Sequence, residues 1–175
     1  DPKSPLTTKE VESSRQGRST VPGGLIVIGS HVDLTTRQLN YLRDNVELEE
    51  YEIDVQKILD DNARDSHIAD VVSSAISGLD NGHVVVRTSR KLVRGNDGAS
   101  SLEISRRVSA AVVDVVRGIV GRTTPRFVIA KGGITSSDVA SKGLGIRRAT
   151  VIGPMLPGIV SLWRGQNEPA RGIPY

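Results

Sequence analysis

Four short runs of mostly β-branched, apolar residues constrain the fold of this chain more than any other feature. They lie at 25–28, 84–86, 127–130 and 150–152, and none of them alternates between apolar and polar residues. This pattern is typical of parallel strands that are covered on both faces. A fifth run at 50–54 (Glu-Tyr-Glu-Ile-Asp) does alternate, so we expect it at the edge of the sheet.

Amphipathic helical patterns separate these runs. The clearest one places apolar residues at helical spacing from Ile68 to Leu79, which predicts a helix with one apolar face. Two glycines, Gly78 and Gly82, are expected to end this helix, because glycine readily adopts the backbone conformations found at helix ends.

Two further helices are predicted in the same way. One is expected to begin at Ser100, with Glu103 in the capping-box position, and to continue to Ile119. A shorter one spans 39–46. Because strands and helices alternate along the chain, we predict an α/β fold: a three-layer sandwich with a mostly parallel sheet, connected by right-handed crossovers.

The amino-terminal stretch differs in composition from the rest of the chain. Leu6 and Val11 are the only large apolar residues among the first twenty, which are otherwise rich in charge, Ser, Thr and Pro. We therefore predict a linker or tail over 1–22 and one domain over 23–175. The chain starts with Asp-Pro and ends with Ile-Pro-Tyr, so we expect a piece of a longer polypeptide whose domain is truncated at its carboxy end.

Composition excludes several kinds of site. The chain has no cysteine, so disulfides, thiolate metal sites and cysteine nucleophiles are excluded. There is no apolar run of about eighteen residues and no signal-peptide pattern, and we expect a cytoplasmic protein without membrane contact. With three Tyr, one Trp and one Phe, and with dispersed arginines, nucleic-acid binding is not predicted. His67 and His83 lack ligand-like spacing, so we predict no metal site on them.

Three turns follow predicted strands, at 29–31, 131–136 and 153–158. Ligands of parallel α/β folds bind at the carboxyl ends of strands, where helix starts present free amides. In the first turn, Ser30 and His31 either reach this rim or are simply the helix entry that precedes Asp33, Thr35 and Thr36, and the helix entry is the favoured reading of these residues alone. The loop at 90–101 is rich in Gly, Ser and charge, which suits a surface segment over a site.

The second turn has the features of a phosphate site. Its glycines, Gly132 and Gly133, permit close approach of the backbone to an anion. Thr135 and Asp138 have capping-box spacing, and Lys131 would add positive charge. Judged on these residues alone, a phosphate site and a purely structural turn are equally well supported.

Motifs of the common nucleotide-binding and hydrolase families are absent. The sequence contains no G-x-x-x-x-G-K-[ST] loop, no G-x-G-x-x-G after a strand, no H-E-x-x-H and no G-x-S-x-G. A nucleotide site in this chain would therefore be of a different type.

The same three turns resemble the four-carbon acid sugar kinase family. The resemblance rests on 29–39 (Gly-Ser-His-Val-Asp-Leu-Thr-Thr-Arg-Gln-Leu), on 130–136 (Ala-Lys-Gly-Gly-Ile-Thr-Ser) and on 153–158, which ends in Pro-Gly. In that family an amino-terminal domain holds the sugar acid and a carboxy-terminal domain holds ATP. The chain from about residue 23 resembles most of the second domain, in a branch fused to a class II aldolase and a hydroxyacid dehydrogenase-like domain.

By position, the resemblance implies that Ser30, Gly132, Gly133, Ile134 and Thr135 contact the nucleotide, which would be ATP or ADP with Mg²⁺. The amides of the glycine pair would cradle phosphate oxygens. The family usually has an acidic residue where this chain has Ile134. We assign no catalytic residue, because none of the candidates has a partner that local spacing would fix, and we assign no metal ligand. The family's sugar-acid domain and its final Gly-rich loop lie outside this sequence.

These inferences lead to three hypotheses. The first is that the chain is the nucleotide-binding domain of an ATP-dependent four-carbon sugar acid kinase, of the threonate or erythronate type, which phosphorylates a hydroxyl of a sugar acid held by another domain. The alternative is a non-catalytic nucleotide- or metabolite-sensing module of a multidomain enzyme, suggested by Ile134. The third is a structural spacer in which all three turns are helix entries.

Overall fold

Four parallel strands form the central sheet in the computed structural model of this chain. They are β1 Leu25–Ile28, β2 Leu48–Ile53, β3 His83–Thr88 and β4 Val128–Lys131, in the order β2-β3-β1-β4. Every neighbouring pair is parallel. The structure describes residues 4–15, 19–29, 32–89, 97–157 and 160–175.

Three of the four non-alternating runs and the alternating run are strands of this sheet, as predicted. β2 is the alternating run and lies at one edge, while β1 and β3 lie at the centre. The central strands are buried almost throughout, which explains why their sequences are apolar on both faces.

Helices cover both faces of the sheet. They are α1 Thr8–Ser14, α2 Asp33–Asn45, α3 Val55–Leu59, α4 Arg64–Asn81, α5 Gly98–Val120 and α6 Gly133–Asp138, which continues as a π-helical turn at Val139–Gly143. On one face, Leu39 of α2 packs with Ile26, Ile28 and Val85. On the other, α4 and α5 pack with Val27 and its neighbours. The predicted α/β three-layer sandwich with a mostly parallel sheet is confirmed.

None of the helices in the described residues combines the length and the hydropathy needed to cross a bilayer.

Two details of the predicted helix ends need correction. Gly82 does cap α4, but Gly78 lies within it, where a β-carbon would be 2.8 Å from Cγ2 of Val84. The absent side chain lets the helix approach β3. Helix α5 begins at Gly98, and its capping box joins Asp97 and Ser100 rather than Ser100 and Glu103. The predicted loop at 90–101 therefore ends inside α5, and its residues 90–96 lie outside the described part.

The run at 150–152 is not part of the parallel sheet, and that prediction was wrong. It belongs to β5 Ala149–Leu156, which pairs antiparallel with β6 Val160–Gly165 in a separate two-stranded sheet. Because only three residues separate the end of β5 from the start of β6, local hairpin pairing is favoured over a crossover into the large sheet. The turn predicted at 153–158 is wrong for the same reason, since 153–156 belong to β5 and Gly158 lies outside the described residues.

The stretch predicted as a linker or tail contains helix α1. Thr7 and Glu10 form a capping box at its start, which was a readable signal in the sequence. The Leu6 amide donates to the Pro154 carbonyl at 2.8 Å, and Glu12 pairs with Arg126 at 2.8 Å. The described part of 1–22 thus contacts the domain, while the domain boundary at residue 23 stays a prediction.

Candidate functional site

The carboxyl ends of β1 and β4 meet at one edge of the sheet. Their register pairs Ile28 with Lys131, so Gly29 and Gly132 follow side by side. From β1 the chain passes into α2 on one face, whereas from β4 it passes into α6, which packs with α5 on the other. In open parallel sheets, the point at which neighbouring strands continue to opposite faces is the usual ligand site.

Gly29 lies directly against the first turn of α6. A β-carbon at this position would lie 2.3 Å from Thr135 Oγ1 and 3.2 Å from Thr135 Cγ2. Any side chain would therefore displace either the end of β1 or the start of α6. Glycine is required here by close approach, a constraint that the sequence alone did not reveal.

Helix α6 begins with a backbone that only glycine adopts readily. Gly132 has φ 113° and ψ 137°, and its carbonyl accepts the Ser136 amide at 2.7 Å. The amides of Gly133, Ile134 and Thr135 precede this first hydrogen bond, so they have no acceptor within the helix. A β-carbon on Gly133 would meet no atom within 4 Å, so the space beside these amides is open.

The predicted capping box between Thr135 and Asp138 is wrong. Gly132 is the N-cap residue, and no side chain caps the helix. Asp138 instead accepts a hydrogen bond from Ser109 of α5 and pairs with Lys142 at 2.8 Å. The Lys142 ammonium and then the Ser109 hydroxyl lower the pKa of the Asp138 carboxyl. Asp138, the last residue of α6, thus connects this helix to α5.

Ser136 connects the helix to the strand that precedes it. Its hydroxyl donates to the Ala130 carbonyl at 2.9 Å, and its own carbonyl accepts the Tyr175 hydroxyl at 2.6 Å. Burial raises the pKa of Tyr175 to about 12, so its hydroxyl remains a donor at neutral pH. The sequence analysis missed both contacts, because they join segments that are distant in sequence.

Two cationic side chains flank the end of β1. Ile28 is paired with Arg87 of β3 on one side and with Lys131 of β4 on the other. Arg87 forms ion pairs with Glu50 and Glu52, which neutralise it. Within the described residues Lys131 forms no ion pair. Its charge is therefore available to an anion at this edge.

The remaining predicted residues are placed as follows. Ile134 is exposed, with 79% of its surface accessible, so an apolar side chain faces solvent in the first turn of α6. Thr135 lies against Gly29. Ser30 and His31 lie outside the described residues, so their contact with a ligand stays a prediction.

The other two histidines have structural partners away from this edge. His67 Nε2 accepts the Asp54 amide at 2.9 Å, and His83 Nδ1 accepts the Gly24 amide at 3.0 Å. Burial lowers the pKa of both, which keeps the imidazoles neutral and able to accept. Among the residues that the structure describes, no group of three or more His, Cys, Asp or Glu side chains is arranged to hold a metal ion.

Comparison with protein families matches residues 25–175 to the model of the nucleotide-binding C-terminal domain. Comparison with the curated proteins found no match.

Three solved structures share the fold. A DUF1537 protein from Bordetella bronchiseptica, solved with bound citrate as a domain-swapped dimer, aligns with a TM-score of 0.72 over 91% of this chain. A Salmonella typhimurium LT2 protein, described as a candidate tRNA synthase, aligns with a TM-score of 0.66 over 90%. A Haemophilus influenzae DUF1537 protein aligns with a TM-score of 0.58 over 85%. Each is 18% identical, and the chain spans only 37%, 37% and 36% of their lengths.

Proposed function

We propose a function that proceeds from one fact: the chain belongs to the family of nucleotide-binding C-terminal domains. It is similar to the carboxy-terminal domain of the four-carbon acid sugar kinases, as the three sequence stretches predicted. In our proposal it binds ATP or ADP at the carboxyl ends of β1 and β4. The observation that carries this is the open turn at Gly132 and Gly133, which lies beside Gly29 at the carboxyl ends of these strands.

The phosphates are held mainly by backbone groups in this proposal. The amides of Gly133, Ile134 and Thr135 are free within the helix and lie at its positive end. Lys131, which has no carboxylate partner among the described residues, adds a charge, and Ser30 adds a hydroxyl. A site built on amides tolerates side-chain change, so an isoleucine at 134 is compatible with binding.

A magnesium site does not fit the described side chains. Ile134 replaces the acid that is usual in the related family, and the nearby Asp138 is already held by Lys142 and Ser109. We therefore assign no metal ligand in this chain. Mg²⁺ enters the proposal only as the counter-ion of the nucleotide phosphates.

The activity we propose belongs to the longer protein. It is phosphoryl transfer from ATP to a hydroxyl of a four-carbon sugar acid of the threonate or erythronate type. The oxygen of that hydroxyl bonds to the γ-phosphorus, the bond between this phosphorus and the bridging oxygen of ADP breaks, and the hydroxyl proton passes to a base. The sugar acid and the base lie in an amino-terminal domain, and fused aldolase and dehydrogenase domains are proposed partners.

A second function is favoured by the exposed Ile134. In this alternative the chain senses a nucleotide or metabolite for neighbouring domains without catalysis. The two functions differ in turnover by the longer protein. Phosphorylation of any four-carbon sugar acid supports the kinase, whereas ligand binding without turnover across the whole series supports the sensor.

Isothermal titration with ADP and ATP, with and without Mg²⁺, tests the nucleotide site. A Gly133→Asp variant places a carboxylate beside the free amides, where nothing obstructs it. Repulsion of phosphate should weaken binding by roughly tenfold or more. Gly82→Asp is the matched control, because its β-carbon also meets no atom within 4 Å and it precedes β3 at the opposite edge.

Equal affinity of the Gly133→Asp and Gly82→Asp variants would place the nucleotide elsewhere. If the folded wild-type chain binds neither nucleotide, the site is either completed only by segments outside this sequence or belongs to a degenerate module, and the same titration on a longer chain separates these two outcomes.

A further inference from the structure

A cavity of about 530 Å³ lies between α6 and the β5–β6 hairpin. One wall is formed by α6 and the π-helical turn that continues it, and includes Ser137. The other wall includes Trp163 of β6 and the segment that leads into β5, with Arg147 and Arg148. We call it the arginine cavity. It adjoins the first turn of α6 but lies on the side of the helix.

The charged side chains of the arginine cavity are all positive. Arg147 and Arg148 are both exposed, and among the described residues neither guanidinium has an ion-pair or hydrogen-bond partner. The indole nitrogen of Trp163 can only donate, and it too has no partner in the described part of the chain. No acidic side chain of the described residues lines the cavity. Unpaired cations and an unpaired donor without a nearby carboxylate favour an anion.

Most hydroxyl groups of the cavity are used to hold its helical wall. The Ser136 hydroxyl donates to the Ala130 carbonyl at 2.9 Å, and the Ser141 hydroxyl donates to the Ser137 carbonyl at 2.6 Å. The Tyr175 hydroxyl donates to the Ser136 carbonyl at 2.6 Å. These bonds fix the wall, so the groups left for a ligand are mainly the two guanidiniums and the indole.

The two arginines extend from a backbone that is held in place. The Asn167 side chain accepts the Arg147 amide at 3.0 Å and donates to the Gly145 carbonyl at 2.7 Å. The Gln166 amide donates to the Arg148 carbonyl at 3.0 Å. Because these bonds fix the segment before β5, a ligand would have to order only the arginine side chains. A preorganised backbone lowers the entropic cost of binding.

The rest of the cavity surface is apolar. Ile146 packs against the large core cluster, and Ala140 is half-buried beside it in the lining. The Trp163 side chain remains 42% exposed and presents its ring. Small-molecule sites typically combine apolar walls with a few polar groups that fix orientation. An aromatic ring next to cations suits a ligand with a flat apolar body and an anionic end.

We propose that the arginine cavity binds a small organic anion: a carboxylate or a phosphate monoester with a flat apolar body. Guanidinium groups bind both kinds of anion through paired hydrogen bonds. The anionic end would contact Arg147 and Arg148, and the apolar body would lie against Trp163 and Ile146. The proposal does not rest on the proposed nucleotide site, which uses the backbone amides of 133–135 and none of these side chains.

Binding is measured by the emission of Trp163, the only tryptophan of the chain, which lines the cavity. The probes are phenylacetate, a carboxylate, and phenyl phosphate, a phosphate monoester. Inorganic phosphate lacks the apolar body and benzyl alcohol lacks the charge, so these two compounds are the ligand controls. Arg147→Ala and Arg148→Ala each remove one guanidinium from the cavity. Arg122→Ala is the matched protein control, because Arg122 is exposed but does not line the cavity.

We expect at least one organic anion to change Trp163 emission with saturation, at an affinity about tenfold or more above those of inorganic phosphate and benzyl alcohol. The tighter of the two probes identifies the anion class. Arg147→Ala and Arg148→Ala should each weaken this binding by about fivefold or more, and Arg122→Ala should leave it unchanged.

The proposal is overturned if neither organic anion binds, if inorganic phosphate or benzyl alcohol binds as tightly, or if the three arginine variants behave alike. It is also overturned if saturating ADP displaces the probe, because the cavity would then belong to the nucleotide site. Absence of ADP binding with retained probe binding would contradict the proposed nucleotide site alone, so the two proposals can fail separately.

Discussion

Substitution of Gly29 by alanine tests the close approach on which the candidate site depends. The new β-carbon would lie 2.3 Å from Thr135 Oγ1, and 3.2 and 3.3 Å from Thr135 Cγ2 and Cβ. Ordinary contact needs about 3.5 Å or more, so Thr135 Oγ1 has to move by about 1 Å and Thr135 Cβ by a few tenths of an ångström. Rotation of the threonine side chain does not relieve the contact with its β-carbon. Overpacking of this kind costs about 1–3 kcal/mol of unfolding free energy.

The measurement is a double-mutant cycle with Thr135→Ala, followed by urea unfolding. Removing Oγ1 and Cγ2 of Thr135 frees most of the space that the Gly29→Ala methyl needs. The double variant should therefore recover about 1 kcal/mol or more relative to Gly29→Ala, with an unchanged denaturant slope. ADP affinity should fall in Gly29→Ala and recover with the double variant, because the amides of the turn return to their places.

Two results would refute this reasoning. If Gly29→Ala unfolds at the wild-type urea concentration, the end of β1 and the start of α6 are not in contact. If the double variant is no more stable than Gly29→Ala, the cost arises from the backbone of residue 29 rather than from Thr135.

Three further predictions concern the same edge. Gly132→Ala should lower the unfolding free energy by about 1–3 kcal/mol, because the φ of Gly132 is 113°. Gly133→Ala lies in the first helical turn and should be neutral or stabilising. Equal effects of the two variants in thermal melts would contradict this prediction. Lys131→Gln should weaken ADP binding by about tenfold in titration calorimetry without changing stability, and an unchanged Kd would remove the lysine from the site. The pKa of Asp138 is lowered in the folded protein, so its carboxylate contributes stability above the unfolded pKa of about 3.9, and this contribution is lost as pH falls through the lower folded value. The Asp138→Asn variant should therefore lose less stability than the wild type as pH is lowered. An unchanged dependence of stability on acid pH would show that the carboxylate contributes nothing.

The strands and helices of the large sheet could be predicted because their signals are local. The runs at 25–28 and 84–86 are apolar on both faces, and this property follows directly from their burial at the centre of the sheet. The run at 150–152 has the same composition but a different environment. Its partner β6 begins three residues after β5 ends, and the sequence of neither strand shows that the two pair with each other.

The candidate site was predicted only in part, because its turns depend on contacts across the chain. The glycine pair at 132 and 133 was recognisable from its sequence, and the parallel register then places it beside Gly29. The positive φ of Gly132 and the contact between Gly29 and Thr135 needed the packed structure. The spacing of Thr135 and Asp138 predicts a helix cap, but in the structure the Asp138 carboxylate binds Lys142 and Ser109 instead.

The side chain at position 134 bears on the proposed catalysis but not on the proposed phosphate binding. The positions of the amide donors depend only on the backbone of 132–135. The conformation of Gly132 and the hydrogen bond from the Ser136 amide to the Gly132 carbonyl fix this backbone, and the side chain at position 134 does not affect it. An acid at position 134 would instead act through its side chain, and the exposed Ile134 can neither bind a cation nor accept a proton. The proposed amide site is therefore compatible with both the proposed kinase and the proposed sensor, and in our proposal the two differ in side chains that the longer protein would supply.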